Sequence, residues 1–476
     1  MMLLSLPFEL LYKIASLLNN EEKRNLRLAS KKFCCVATPL VFETVSISLT
    51  RPRRYRKCLA FLKALKTRAD LAQHIQCLLI HGSFDPSYEN GTLWYVITNG
   101  RGRDIRLNKK RLLEAIPFLV SLRSLHFYSF RPGELSPSSV DSIMLALSRL
   151  PLLSHLSIDF HQQSPTRTSY SEFHDLEHIG FGGTHMLDII PPLVVRSPNL
   201  TRLGLLVLQD TEEAPVTASS IFSGLPKGKY SRVEQLAIRG AGILPAQDVP
   251  LIVPHLHHFI SLHIHIDDVA PEFWSAMRIE KICLRDVSVD IVNDALLEYL
   301  ESYSGVKSMT LVPKQPVNSS HVDSSSRFWG EILPKHANTL LELCVQPNFK
   351  CSGGWFLDTR SLDAIRQCKR LERLRVKVDQ ETLEEEDETN IISQSLDGLH
   401  EWPCLNILNF HSLTTSIIYL GGIHLSDKTE NAVLSFRCTK PTEGALRLTV
   451  STDFADHRLS RRKSDVEVYS FKEVQH

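Results

Sequence analysis

Five histidines crowd one short stretch, PHLHHFISLHIH, between His255 and His265. Imidazoles are common zinc ligands, and His263 and His265 share one side of a strand. No acidic or cysteine ligand stands at a standard spacing to complete the set, so a metal site is not expected. The ten cysteines are scattered; Cys34 and Cys35 are adjacent and no CxxC pair occurs. That usage indicates free thiols in a reducing compartment rather than a zinc ribbon or a disulfide framework. There is no GxxxxGK[ST], GxSxG or HExxH, and no GxGxxG after a strand. Acidic residues pair up without the spacing of a catalytic dyad. Neither an enzyme activity nor a cofactor is therefore expected.

What remains is recognition chemistry. Arg239, His263, His265, Arg285, Arg373, Arg375 and Lys377 fall in or beside short apolar segments, as do His126, Tyr128, Asp159, Asn409 and His411. Arginine makes charge-assisted, often bidentate bonds to carboxylate and phosphate. If these side chains line one surface, they suit an acidic or phosphorylated protein substrate. A solvated strand face accounts for the same residues without any ligand.

The elements that would position them follow one phrase: apolar, two variable, apolar, one variable, apolar. It reads LRSLHF from Leu122, LSHLSI from Leu153, LTRLGL from Leu200, VEQLAI from Val233 and FISLHI from Phe259. It returns as IEKICL from Ile279, VKSMTL from Val306, LLELCV from Leu340, LERLRV from Leu371 and LNILNF from Leu405, with a looser IQCLLI from Ile75. Alternating apolar residues predict short strands buried on one face. The phrases recur at roughly 20 to 47 residues, near or above the spacing of leucine-rich repeats. Asn348 fills the repeat's asparagine position; Phe130, His161, Ala241 and Asp267 stand there elsewhere. Trp274 and Trp329, each shortly before a phrase, read as helix-side core anchors.

The first residues differ in pattern. Pro7 suits a first helical turn and Glu9 favours its dipole. Leu6, Leu10, Ile14 and Leu17 make one helical face, with Leu11, Ala15 and Leu18 beside it. Asn19 and Asn20 break the helix, Asn20 being placed to cap the next. Leu26, Ala29, Phe33, Val36 and Leu40 continue at helical spacing until Pro39 ends the run, and Val41 to Leu49 alternates like a strand. These helices carry more apolar surface than one small core needs, which marks a partner interface.

The residues Leu6-Pro7-Phe8-Glu9-Leu10, then Ile14 and Leu17, then Leu26-Arg27-Leu28-Ala29-Ser30-Lys31-Lys32-Phe33 resemble the F-box. With the later phrases, the chain is similar to fungal-type F-box proteins with degenerate leucine-rich-repeat-like tails. The resemblance implies an α/β architecture: a small N-terminal helical F-box followed by an irregular leucine-rich-repeat-like solenoid. It implies docking on the Skp adaptor subunit of a cullin–RING ubiquitin ligase through Leu6, Pro7, Glu9, Leu10, Ile14, Leu17, Leu26, Leu28 and Phe33. The repeat face would then hold an unidentified protein substrate, and the chain itself would do no chemistry. An unrelated α/β domain, a scaffold without a degradative role and an enzyme on an unrecognised α/β fold are the alternatives.

The expected organisation is a helical domain over 1–48, a basic linker and connecting helix over 49–74, the array over 75–450, and a disordered tail over 451–476. A net charge of +1 from 54 basic and 53 acidic residues argues against bulk nucleic-acid or membrane attraction. The basic runs RPRRYRK from Arg51 and NGRGRDIRLNKKR from Asn99 read as solvated loop or linker. ETLEEEDET from Glu381 reads as an exposed acidic loop, and Ser319–Ser326 as a flexible one. No run of about 18 apolar residues predicts a membrane span. The expected location is cytoplasmic, nuclear or both.

Overall fold

The recurring phrase locates strands, each starting two residues after its first apolar residue. In a computed structural model of the chain, LRSLHF contains the start of Ser124–Tyr128, LSHLSI that of His155–Asp159, and LERLRV that of Arg373–Asp379. The structure describes residues 5–48, 52–81, 110–128, 137–159, 172–183, 186–207, 218–240, 243–266, 268–313, 322–347, 354–379, 383, 390–413, 428–436, 448–452, 456–461 and 469–473. The asparagine-position residues named above and most of the Asn99 and Glu381 runs lie outside them.

Two compact units divide the chain, Met1–Val233 and Glu234–His476. The first opens with helices α1 (Phe8–Ser16), α2 (Asn20–Ala29) and α3 (Lys31–Phe42). Then come β1 (Thr44–Ser48), α4 (Pro52–Thr67), α5 (Ala69–Ala72), β2 (Cys77–His81), β3 (Ser124–Tyr128) and α6 (Pro137–Leu147). It continues with β4 (His155–Asp159), β5 (His178–Gly183), α7 (Met186–Arg196) and β6 (Arg202–Val207). Strands β1 to β6 pair in chain order, all parallel. Parallel neighbours require crossovers, and helices supply several of them. Leu125, Phe127, Leu156, Ile158, Ile179, Phe181, Leu203 and Leu205 are buried on one face of the sheet.

The second unit repeats the scheme. Its main sheet runs β7 (Gln235–Gly240), β9 (Ser261–His265), β11 (Asp286–Val289), β12 (Ser308–Leu311), β13 (Glu342–Val345), β14 (Arg373–Asp379), β15 (Ile407–Leu413) and β16 (Thr449–Ser451), all parallel. β17 (Asp456–Arg461) and β18 (Tyr469–Glu473) extend it antiparallel. β8 (Ile243–Leu244) and β10 (Asp268–Val269) form a separate pair. The helices are α8 (Val249–Ile252), α9 (Pro271–Ile279), α10 (Asp294–Glu301), α11 (Val322–Arg327), α12 (Leu333–His336), α13 (Thr359–Arg366), α14 (Ile391–Asp397) and α15 (Lys428–Ser435). Trp274 on α9 and Trp329 after α11 are buried among them, and the Trp329 indole donates to the Gly354 carbonyl at 2.7 Å.

This is an α/β arrangement of parallel sheet and helices. It corrects the expectation of an N-terminal F-box followed by a leucine-rich-repeat-like solenoid. No such solenoid is shown, because the phrase specifies a strand with one buried face and says nothing about the path by which the chain returns. Nor is a separate helical F-box evident. The first helices close only a small core of Leu11, Ala15, Val36 and Leu40, with Leu6, Leu26 and Phe33 packed against it. α3 then leads through Glu43 directly into β1, and Phe42 stacks on Phe61 of α4 with ring centroids 6.2 Å apart.

Local expectations are also corrected. Asn19, not Asn20, caps α2: its side chain accepts from the Glu22 N–H at 2.9 Å while Glu22 accepts from the Asn19 N–H at 2.8 Å. Pro39 does not end the run: it lies within α3, which continues to Phe42 although proline offers no N–H to the turn before it. IEKICL is misaligned: Ile279 is 73% exposed at the end of α9, and β11 belongs to LRDVSV from Leu284. β5 was missed; its phrase is LEHIGF from Leu176. Arg51–Lys57 is largely helical, as is Val322–Arg327 in the expected flexible loop. Val433 belongs to α15, not to a strand. The tail expected to be disordered contains β17 and β18, with Phe471 buried beside Phe436.

Candidate functional site

The N-terminal helices bury one face and expose another. Leu11 and Ala15 point into the small core, while Leu10 and Ile14, one residue earlier in each case, remain 49% and 42% exposed. Leu17 and Leu28 are each 84% exposed, and Phe8 and Tyr12 are also exposed, their rings 6.5 Å apart. Among the residues expected at the adaptor interface, Pro7, Glu9, Leu10, Ile14, Leu17 and Leu28 are thus solvent-facing. Leu6, Leu26 and Phe33 instead pack against the helices' own core. Both stripes of α1 are apolar in sequence, and packing decides that Leu11 and Ala15, rather than Leu10 and Ile14, are covered. Tyr12 also rims a cleft of about 150 Å³ with Pro39, Glu43, His74, Gln76 and Arg123.

The second unit displays its expected recognition residues in two groups. Arg239 on β7 is exposed, next in register to His265 of β9. His263 and His265 are half-buried. Burial, then the neighbouring Arg239 and His265, holds His263 below the ordinary histidine value. Arg373, Arg375 and Lys377 follow one another along β14. Arg373 pairs with Glu342 of β13, and Lys377 Nζ donates to the Pro347 carbonyl at 2.8 Å, whereas Arg375 is exposed. β11, β12 and β13 separate β9 from β14, so at the usual strand spacing the groups are about 19 Å apart. Arg285 is exposed just before β11. Asn409 stands in register beside Arg375, and His411 beside Lys377. Nothing is described of the side chains of Tyr128 and Asp159.

One constellation has the residue types of an acyl-transfer relay. His265 Nε2 lies 2.8 Å from Ser288 Oγ, and its Nδ1 lies 3.7 Å from Asp290 Oδ2. Ser288 is only 7% exposed, however. A carbonyl carbon must reach the nucleophile before a base can help it. These contacts orient His265 rather than form an accessible catalytic centre. Among the described residues, no group of three or more His, Cys, Asp and Glu could hold a metal ion, and no helix is long and apolar enough to cross a membrane.

Sequence reasoning overlooked a set in the first unit. His126 was recognised, but His155, His178 and Arg202 on the next three strands were not. The signal was present in the gap between the phrases at Leu153 and Leu200, which is wide enough for the strand β5. A scan against family models and a search of curated proteins both find no match for this chain.

Proposed function

We propose that the chain is a non-catalytic recruiting subunit. It docks on the Skp adaptor of a cullin–RING ubiquitin ligase through its N-terminal helices and holds a protein target on the polar side of its sheets. The observation that carries this reading is the exposed apolar set Leu10, Ile14, Leu17 and Leu28 on helices whose inner faces are already packed. Covering a Leu or Ile side chain stabilises an assembly by about 1.5–3 kcal/mol. Four such residues at one surface are a substantial reserve for association. The resemblance of residues 6–33 to the adaptor-binding motif supports the choice of partner.

The mechanism is proximity. A target held beside the ligase meets ubiquitin-charged enzyme at a raised effective concentration, without a bond being made by this chain. Arg239 and Arg375, exposed on different strands, supply donors for acidic groups of the target. Such a role places the protein in the cytoplasm, the nucleus or both.

The test is co-elution of the purified chain with a purified Skp adaptor. Ile14→Asp/Leu28→Asp should weaken binding at least about 100-fold while leaving the unfolding transition in place. Binding unchanged in that variant, or no binding by the wild-type chain at micromolar concentration, refutes the proposal. Target turnover that depends on the same residues separates a degradative role from a passive scaffold.

A further inference from the structure

The open side of the first unit's sheet carries a second chemistry. Ser124, His155, His178 and Arg202 lie in one cross-strand row on β3 to β6. The adjacent row is His126, Ser157, Gly180 and Gly204. Rows two residues apart along a strand are separated by about 7 Å. The first therefore forms a wall of imidazoles and guanidinium, and the second a floor lacking side chains on two strands. At Gly180 a Cβ would stand 3.0 Å from Ser157 Oγ and would have to displace that hydroxyl. Glycine within a strand often marks close approach by another group.

The wall is a connected polar set. His155 and His178 meet edge to face with ring centroids 5.7 Å apart. Arg202 Nη2 lies 3.3 Å from His155 Nε2. A guanidinium can only donate, so His155 Nε2 must accept, and its proton resides on Nδ1, 2.8 Å from Ser154 Oγ. His126 Nε2 lies 3.0 Å from Ser124 Oγ. Arg202 itself is exposed, and the three imidazoles are half-buried.

We propose that His126, His155, His178 and Arg202, arranged around the floor of Gly180 and Gly204, bind a carboxylate group. Arg202 turns its donors from His155 to the carboxylate. The imidazoles stay neutral, so Arg202 supplies the charge and the rings supply the polar surround. No covalent bond changes.

The charge balance selects the ligand. Burial is the first cause holding all three imidazoles below the ordinary histidine value, and His178 falls to about 4. At neutral pH the row therefore offers one fixed cation. That suits a singly charged carboxylate better than dianionic phosphate. Among the described residues, the ionisable groups bordering the set include Arg123 before β3, Cys77 of β2, whose thiol burial pushes up, and exposed Glu177 before β5, which opposes the depression at His155. The site lies on β3 to β6 and stands or falls independently of adaptor docking.

The experiment uses the full chain labelled with 13C at histidine Cε1, titrated with acetate, with a capped tri-glutamate peptide and with inorganic phosphate. Histidine signals are assigned by His126→Gln, His155→Gln and His178→Gln. Saturable shifts of all three signals with a carboxylate are expected at pH 7.5. Arg202→Gln should weaken them at least about tenfold, with the remaining histidine signals unmoved. Response to the peptide over acetate assigns the site to an acidic protein segment; response to acetate with the peptide excluded assigns it to small carboxylic acids. Absence of saturable shifts, preference for phosphate at pH 7.5, or an unaltered titration in a folded Arg202→Gln variant overturns the proposal.

Discussion

His336 should make the second unit sensitive to mild acid. The residue is fully buried at the end of α12. The Val306 N–H donates to its Nδ1 at 3.4 Å, so the ring's proton is on Nε2, facing the Leu300 carbonyl at 3.1 Å. A second proton on Nδ1 would break the first bond and place a cation in the core. Burial accordingly holds the imidazole down to about 4, against 6.5 when unfolded. The sign follows: the unfolded chain binds the proton first, so stability is complete above the unfolded value and declines as pH falls from there toward 4. Between pH 7 and pH 5 the loss is about 2 kcal/mol, at about 1.4 kcal/mol for each pH unit inside the window. Urea unfolding followed by tryptophan fluorescence reads the right region, since Trp274, Trp329, Trp355 and Trp402 are all buried in this unit. His336→Asn should cost about 1–3 kcal/mol at pH 7 and remove this acid-dependent increment. Other histidines titrate in both proteins, so the difference between the two pH dependences is the quantity read. Equal losses in wild type and variant would refute the reasoning, as would an Nδ1–H tautomer in a long-range nitrogen spectrum at pH 7.

Three further outcomes follow from the packing. Leu11→Ala should cost about 2–4 kcal/mol by emptying the small helical core, whereas Leu17→Ala and Leu28→Ala, both highly exposed, should change the urea midpoint by no more than about 0.5 kcal/mol equivalent. Tyr299→Phe should lose about 1–3 kcal/mol in the same assay. Its buried hydroxyl donates to the Ile282 carbonyl at 2.7 Å and accepts from the Leu284 N–H at 3.3 Å, holding the turn before β11. Gly354→Ala should lower the melting temperature by several degrees: φ is +80° there, and a Cβ would fall 2.3 Å from Ser325 Oγ.

Much of the strand layout was legible because burial on one face imposes a period of two, visible in LERLRV without any knowledge of neighbours. The start of the second helix was legible to within one residue: the sequence reading puts the cap on Asn20, and Asn19 with Glu22 supplies it. Misreadings arose where the local pattern is degenerate. IEKICL and LRDVSV satisfy the same template within a few residues; Ile282 and Leu284 are buried like Val287 and Val289, and only the pairing of Asp286–Val289 with Ser261–Ile264 selects the second. Residues 322–327 read as a loop from their serines, yet they form the helix leading into buried Phe328 and Trp329.

The sequence by itself determined the alternation that makes strands, the capped helices at the start, and the absence of familiar catalytic motifs. Tertiary structure decided which apolar stripe of α1 faces solvent, how the strands order themselves, and which histidines become neighbours. Strand period and helix capping are set within a few residues, where the chain's own geometry is sufficient. His126, His155, His178 and Arg202 come from four strands, and their proximity depends on pairing register. That register is a property of the assembled sheet, which no single segment contains.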